Sequence, residues 1–387
     1  MRRPYDGVVA CTPVTIPYER HSIRPAQWWI GSALRELVAA SGLAKSDIDG
    51  LCVSSFTLGP DSAVGLTQHF GVSPRWLDHV PMGGASAVVA LRRAARAVEA
   101  GDASVVAVIA GDTSSPASFQ DMLPAFSRFA QDAVYPYGAS GPNGSFALIT
   151  DHYMRRYGAS REDFGRICVA QRANALSVPH AMMKTPLTLD QYLAARPIAD
   201  PLVLFDCVMP CAGAEAFLVM READARALAL PAATLLATIE RHNAYPEDDI
   251  QDRGGWALDR DELWAMAGVG PDDVDCLQTY DDYPVIVMLQ LEDLGFCAKG
   301  DAKDFVRQHD LTVAGKFPHN TSGGQLSRGQ AGAAGGHLGL VEAIRQLTDQ
   351  PLGDAVPGAR IAVAAGFGMI NYDRGLCSGA AVLARAS

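Results

Sequence analysis

An α/β fold with sheets covered on both faces is predicted by two kinds of apolar segment and by their recurrence. Residues 105–110 and 361–365 are short, continuous apolar runs of the kind that form strands buried on both faces. Each run follows a stretch with helical spacing that opens on small residues. The first is Gly83-Gly84-Ala85-Ser86 leading into Val88, Val89, Leu91 and Ala95, and the second is Ala333-Ala334-Gly335-Gly336 leading into Leu338, Leu340, Val341, Ile344 and Leu347. Small-residue start, buried helix and buried strand thus occur twice, the signature of a duplicated half.

Between the copies, residues 116 to about 210 are less regular, rich in proline and aromatics, with a helical patch at 164–175. This segment is expected to be an insertion that covers a substrate site. Within it, Tyr135-Pro136-Tyr137-Gly138 and His180-Ala181-Met182-Met183 are expected either to line an apolar tunnel or to form the insertion's own small core.

Composition bounds the function. With 387 residues and 49% hydrophobic content the chain can bury a large core, and a net charge of -11 argues against nucleic acid as a ligand. The eight cysteines are scattered, so they read as reduced core thiols. The one close pair, Cys207 and Cys211, lacks the second pair or histidine that a zinc site needs, so no metal is expected. Neither a secretory leader nor a membrane span is recognisable, and a cytoplasmic location is expected.

The densest run of glycine and alanine is residues 319–336, beginning His319-Asn320-Thr321-Ser322-Gly323-Gly324-Gln325 and feeding the second buried helix. So much glycine implies unusual torsions or close backbone approach. A helix start there would offer free N–H groups to an oxyanion or a thioester carbonyl. His319, Gly323, Gly324 and Gly329 are therefore candidate binding residues, with Ser86 and His337 beside the two helix starts. The bland alternatives are a turn histidine, a core histidine and a serine cap. A second cluster, Tyr280-Asp281-Asp282-Tyr283, follows a short apolar strand pattern, and because polar groups at the end of a buried strand are costly unless partnered, a site is favoured over a plain strand-end aromatic.

These segments resemble the thiolase superfamily, and most of all the thiolases linked to sterol carrier proteins. The resemblance is carried by Asn320-Thr321-Ser322-Gly323-Gly324, by the 280–283 cluster followed by Leu291-Glu292-Asp293-Leu294-Gly295-Phe296, and by Asp206-Cys207 with Ala212-Gly213-Ala214-Glu215. It implies two βαβαβαββ halves stacked as five layers, here residues 1–225 with the insertion and 226–387, a homodimer, and acyl-CoA substrates. No bound cofactor is expected, CoA being part of the substrate.

The family's catalytic residues are mostly replaced. Its nucleophilic cysteine would fall at Gly84 or Ala85, with Ser86 the one hydroxyl nearby. Its Gly-His-Pro imidazole becomes the amide of Gln330, which cannot move a proton. Its second cysteine corresponds to Cys377 in Cys377-Ser378-Gly379, unless that residue is only a buried strand thiol.

An acyl group therefore has no evident acceptor, and retro-aldol cleavage of a 3-hydroxyacyl-CoA is expected instead. Tyr280 or Tyr283, helped by Asp281 or Asp282, would take the hydroxyl proton. Gln330 and backbone N–H groups would hold the enolate, with Cys377, Tyr372 or His337 as the acid. The acyl group is open among a steroid side chain, an aromatic hydroxyacyl group and a short branched chain. Thiolase-like aldolases of this kind imply a small partner built from a zinc ribbon and an oligonucleotide-binding-type fold. Two other functions stay in view: a thiolase with an atypical nucleophile, and a catalytically silent acyl-CoA-binding scaffold.

Overall fold

The computed structural model describes residues 4–386 except 60, 123–125 and 140. Strand β1 is Val8–Glu19, β2 Gly50–Ser54, β3 Trp76–His79 and β4 Val105–Asp112. After a small hairpin of β5 (Pro197–Ala199) and β6 (Leu202–Val203) come β7 (Ala212–Arg221), β8 (Ala232–His242), β9 (Cys276–Gln278), β10 (Ile361–Asn371) and β11 (Arg374–Arg385). Nine of them form one continuous sheet in the order β3-β2-β4-β7-β1-β8-β11-β10-β9.

The duplication is written in that order. In the first half β2 pairs parallel with β3 and β4, while β7 is antiparallel to β4 and β1. In the second half β9 pairs parallel with β10, a parallel bridge joins Leu277 to His319 where a further strand would lie, and β11 is antiparallel to β10 and β8. The halves meet where β1 pairs antiparallel with β8, Val9 opposite Thr234 and Cys11 opposite Ala232.

The two helices that the sequence pattern predicts, Ser86–Ala100 and Ala333–Leu347, pack on one another and on strands of both halves. The second is buried almost all round, and the first is buried except for a charged stripe of Arg92, Arg93, Arg96 and Glu99. The helix Ala26–Ser41 covers the first half from outside through Trp29, Ile30, Ala33, Leu34 and Leu37, a single helical stripe. The helix Trp256–Ala267 covers β8 and β11 of the second half. Two outer helical layers, the two halves of the continuous sheet and the central helix pair make the five layers expected.

The insertion lies between β4 and β7 and contributes the helices Gly141–Tyr157 and Arg161–Ala175. It packs on the second half's helices Pro284–Asp293, Ala302–Gln308 and Gly324–Arg328.

A buried carboxylate ties the halves together. Asp112, at the end of β4, accepts hydrogen bonds from Ser55 Oγ (2.5 Å), Thr57 Oγ1 (2.7 Å) and the N–H of Phe56 (3.0 Å), and from the N–H of Ala333 at the start of the second-half helix (2.8 Å). Truncating it strands those buried donors, so Asp112→Ala is expected to cost about 3 kcal/mol, read as a lowered urea midpoint.

Candidate active site

The segment after β9 delivers the polar cluster to the first half's helix start. Tyr280 is fixed by its own backbone: its N–H donates to Gln290 Oε1 (3.0 Å) and its carbonyl accepts from Gln290 Nε2 (2.7 Å). Its ring lies over Gly84 and beside Phe367, with ring centroids 6.4 Å apart. A Cβ at position 84 would come within 1.9 Å of Tyr280 Cε2 and 2.5 Å of the Phe367 carbonyl oxygen. The Tyr280 ring therefore fills the space that a side chain at position 84 would need.

Tyr283 ends the cluster as the residue before Pro284, which opens the helix Pro284–Asp293. Its ring stacks on Phe146 of the insertion at 4.0 Å, and its hydroxyl donates to Asn143 Oδ1 at 2.5 Å. Tyr280, Asp282, Tyr283 and Gln330 line one cavity of about 390 Å³ with Gly84, Phe56, Phe126, Asn143, Phe146, Cys207 and Phe367. The walls are largely apolar, with Val208, Met369 and Ile370 beside the aromatic rings. Burial sets the protonation states: the Tyr280 phenol is pushed well above its usual range by desolvation, and the neighbouring Asp282 carboxylate pushes it further. Desolvation likewise raises the Asp282 carboxyl to about 7.

The two aspartates part company. Asp281 turns away from the cavity and caps the helix Gly324–Arg328, accepting from the N–H groups of Gln325 (3.0 Å) and Leu326 (3.3 Å). Asp282 is the carboxylate that reaches the cavity. Spacing alone could not separate them, because β9 ends at Gln278 and strand alternation does not extend into an irregular turn.

The glycine-rich run is not a bare cradle. At the start of Gly324–Arg328 the N–H groups are held by Asp281, and at the start of Ala333–Leu347 by Asp112. The small residues make room for the protein itself. A Cβ on Gly324 would meet Asp281 Oδ2 at 2.1 Å, one on Gly329 Cys211 Sγ at 2.8 Å, one on Gly323 Ala175 at 2.4 Å, and one on Gly336 the backbone of Gly84 at 2.8 Å. Gln330 does face the cavity, while its amide closes a local turn with the backbone of Gly332.

The remaining candidates lie outside the cavity lining. His319 is buried and pairs through Nε2 with Thr279 Oγ1 (2.7 Å), and burial holds its pKa down to about 3. His337 pairs with the Ala333 carbonyl, sits 6.4 Å from the Phe217 ring of β7, and is held down to about 4. Ser86 Oγ accepts from the Met82 N–H, a helix-start role. Tyr372 lies at the β10–β11 turn and lines a different pocket.

Cys377 packs in the core around the central helices, and burial raises its thiol to about 12, so it is neither a ready acid nor a thiolate. Cys377→Ala is expected to keep kcat within about threefold and cost about 1 kcal/mol, checked by turnover and melting temperature.

From the insertion, the cavity draws on Phe126, Pro142, Asn143 and Phe146 and, at its end, on Cys207, Val208 and Pro210 rather than on Tyr135, Tyr137 or the 180–183 segment. Asn143 lies in the first turn of the helix Gly141–Tyr157, where Gly141-Pro142-Asn143-Gly144 reads locally as a turn, so no sequence pattern pointed to it. Among the described residues no group of His, Cys, Asp and Glu is placed to hold a metal ion, and no helix is long and apolar enough to cross a membrane.

Two pseudo-equivalent halves around a paired central helix layer, with the site at the meeting of the helix starts, define a thiolase-type protein. Comparison with known proteins agrees. The thiolase C-terminal domain-like family matches residues 256–377. A steroid side-chain-cleaving aldolase of Thermomonospora curvata is 31% identical over 353 residues, 87% of this chain and 89% of that protein. A 17-hydroxy-3-oxo-4-pregnene-20-carboxyl-CoA lyase of Mycobacterium tuberculosis is 31% identical over 368 residues, 91% of this chain and 94% of that protein. The solved Ltp2-ChsH2(DUF35) aldolase superposes with a TM-score of 0.84 at 26% identity, covering 99% of each chain. The chain belongs to the thiolase superfamily, in the branch that includes these CoA-thioester aldolases and lyases.

Proposed function

We propose that this protein cleaves the C2–C3 bond of a 3-hydroxyacyl-CoA by a retro-aldol reaction, releasing a ketone or aldehyde and a shorter acyl-CoA. The observation that carries this reading is the Tyr280 ring over Gly84, with Asp282 in the same cavity: a phenol fills the space in which the superfamily's nucleophile would stand. The names of the Thermomonospora and Mycobacterium relatives support it.

The protonation states assign the roles. Asp282, poised at about 7, takes the proton from the C3 hydroxyl. The C2–C3 electron pair then moves into the thioester as an enolate, and C3 becomes a carbonyl. Tyr280, held protonated at neutral pH, gives its proton to C2, and Asp282 returns the captured proton to the phenolate beside it. The sum is one proton moved from O3 to C2 and one carbon–carbon bond broken, with no outside reactant. Tyr280 thus serves as the acid rather than as the base that the sequence suggested, because no cation near it stabilises a phenolate among its named neighbours. Because Tyr283 donates to Asn143 Oδ1, the Asn143 amide N–H groups are the ones left for a thioester oxygen, alongside Gln330.

The apolar lining, aromatic and aliphatic together, suits an apolar acyl group, steroid or aromatic. The Ltp2-ChsH2(DUF35) aldolase supports a partner protein of the DUF35 type; a homodimer of this chain and a cytoplasmic location complete the proposal.

The test is mass spectrometry of products from 3-hydroxyacyl-CoA and 3-ketoacyl-CoA thioesters, with and without free CoA and with and without the partner. Cleavage of hydroxyacyl thioesters without free CoA is expected. Cleavage of ketoacyl thioesters alone, dependent on free CoA, would mean a thiolase. Tight binding without turnover would mean a scaffold.

A further inference from the structure

Leading away from Tyr280, the cavity wall is a row of rings. Tyr280 and Phe367 have ring centroids 6.4 Å apart, Phe367 lies 6.0 Å from Phe146, and Phe146 stacks on Tyr283 at 4.0 Å with the two planes 23° apart. All four line the cavity. Tyr280, Tyr283 and Phe367 belong to the second half, whereas Phe146 is supplied by the insertion, in the helix Gly141–Tyr157. Its ring is gripped from two sides. Tyr283 covers it, and the Tyr283 hydroxyl is in turn bonded to Asn143 Oδ1 at 2.5 Å, three residues before Phe146 on the same helix. On the other side stands Phe367, itself backed by the buried ring of Trp256 at 6.1 Å. Phe146 is 1% exposed, so this ring is packed as core while it also bounds the cavity. Met369, by contrast, gives the cavity an unbranched and adaptable wall.

We propose that Phe146 is the specificity-determining residue of this site: a rigid stop against which the substituent on C3 of the acyl group ends, so that a compact one-ring substituent is accepted in preference to a fused polycyclic one. The inference rests on the reading of this cavity as the acyl site and deepens it, choosing the aromatic acyl group over the four-ring steroid. Two observations carry it. Phe146 stands only two ring contacts from Tyr280, which places the stop close to the reacting carbons. The cavity, about 390 Å³, is near the lower end for small-molecule pockets and must hold the thioester, C2 and C3 as well as the substituent. A larger group has to displace a ring that Tyr283 and Phe367 hold in place, and overfilling a packed wall is unfavourable. Removing Phe146 opens space beside the substituent and leaves Tyr280, Asp282 and Gln330 untouched.

The experiment is calorimetric binding of two saturated acyl-CoA thioesters to the full-length protein: 3-phenylpropanoyl-CoA and 3-(pyren-1-yl)propanoyl-CoA. Neither carries the 3-hydroxyl, so neither can undergo retro-aldol cleavage. Wild-type protein is expected to bind the phenyl thioester at least about 10-fold more tightly than the pyrenyl one. In Phe146→Ala the two Kd values should come within about threefold of each other or reverse. If Phe146→Ala does not fold, Phe146→Leu is read instead and should narrow the ratio in the same direction by at least about threefold. A residue with a merely structural role would weaken both probes alike and leave their ratio unchanged. An unchanged ratio in either folded variant overturns the proposal, as does a wild-type protein that prefers the pyrenyl thioester or binds neither. Because binding needs no turnover, a wild-type protein that shows this preference and cleaves no 3-hydroxyacyl thioester would overturn the aldolase reading alone.

Discussion

Gly84→Ala is expected to abolish cleavage, lowering kcat by at least about 100-fold, although alanine adds a single methyl group. That methyl would lie 1.9 Å from Tyr280 Cε2 and 2.5 Å from the Phe367 carbonyl oxygen. The ring has little room to retreat. Its backbone is held on both sides by Gln290, Phe367 lies beside it, and Phe367 itself packs against Trp256 and Phe146. Something rigid must shift, and overpacking of this kind costs about 1–3 kcal/mol. Removing the ring in the same chain, as Gly84→Ala/Tyr280→Ala, should restore part of the lost stability without restoring activity, since the contact with the Phe367 backbone persists. Thermal melts and single-turnover rates on the three variants check the claim. Wild-type kcat in Gly84→Ala would mean that the ring moves freely and is not held for chemistry.

The same contact shows what could and could not be read from the chain. The repeat was legible because a buried helix and a buried strand each impose a periodicity on many residues, and it survives in the order of both half-sheets. The cluster at 280–283 was legible because charge at the end of an apolar strand is conspicuous. Its internal assignment was not. Which of Asp281 and Asp282 faces the cavity depends on a turn between β9 and the following helix, where no period applies.

The glycine-rich run misled for a related reason. A glycine reports that something comes close, and the sequence does not say whether that something is a ligand or another part of the chain. At Gly324, Gly329 and Gly336 it is the chain. Cys377 fits the family spacing, yet its position in β11 turns the thiol toward the central-helix core, a direction that depends on strand register.

Asp282→Asn carries the second large effect, and it separates catalysis from stability. An amide cannot take the hydroxyl proton, so kcat is expected to fall about 10²–10⁴-fold. The wild-type rate should rise as pH passes through about 7, where Asp282 loses its proton, and level off above. That rise should be absent from the residual activity of the variant.

The stability effect has the opposite sign. The folded-state value lies above the unfolded one, so between roughly pH 4 and 7 the native state binds the extra proton, and stability contributed by this group declines as pH increases across that window. At pH 8 the wild-type protein holds an ionised carboxylate in a largely apolar cavity beside Asp281, which asparagine would relieve. Asp282→Asn is therefore expected to melt higher than wild type at pH 8 and about equally at pH 4, while being nearly inactive at both. A residue whose removal stabilises the fold and stops the reaction is one kept for chemistry. If the variant is instead destabilised at pH 8 with its pH–rate profile intact, Asp282 belongs to the scaffold and the proton must leave the C3 hydroxyl by another route.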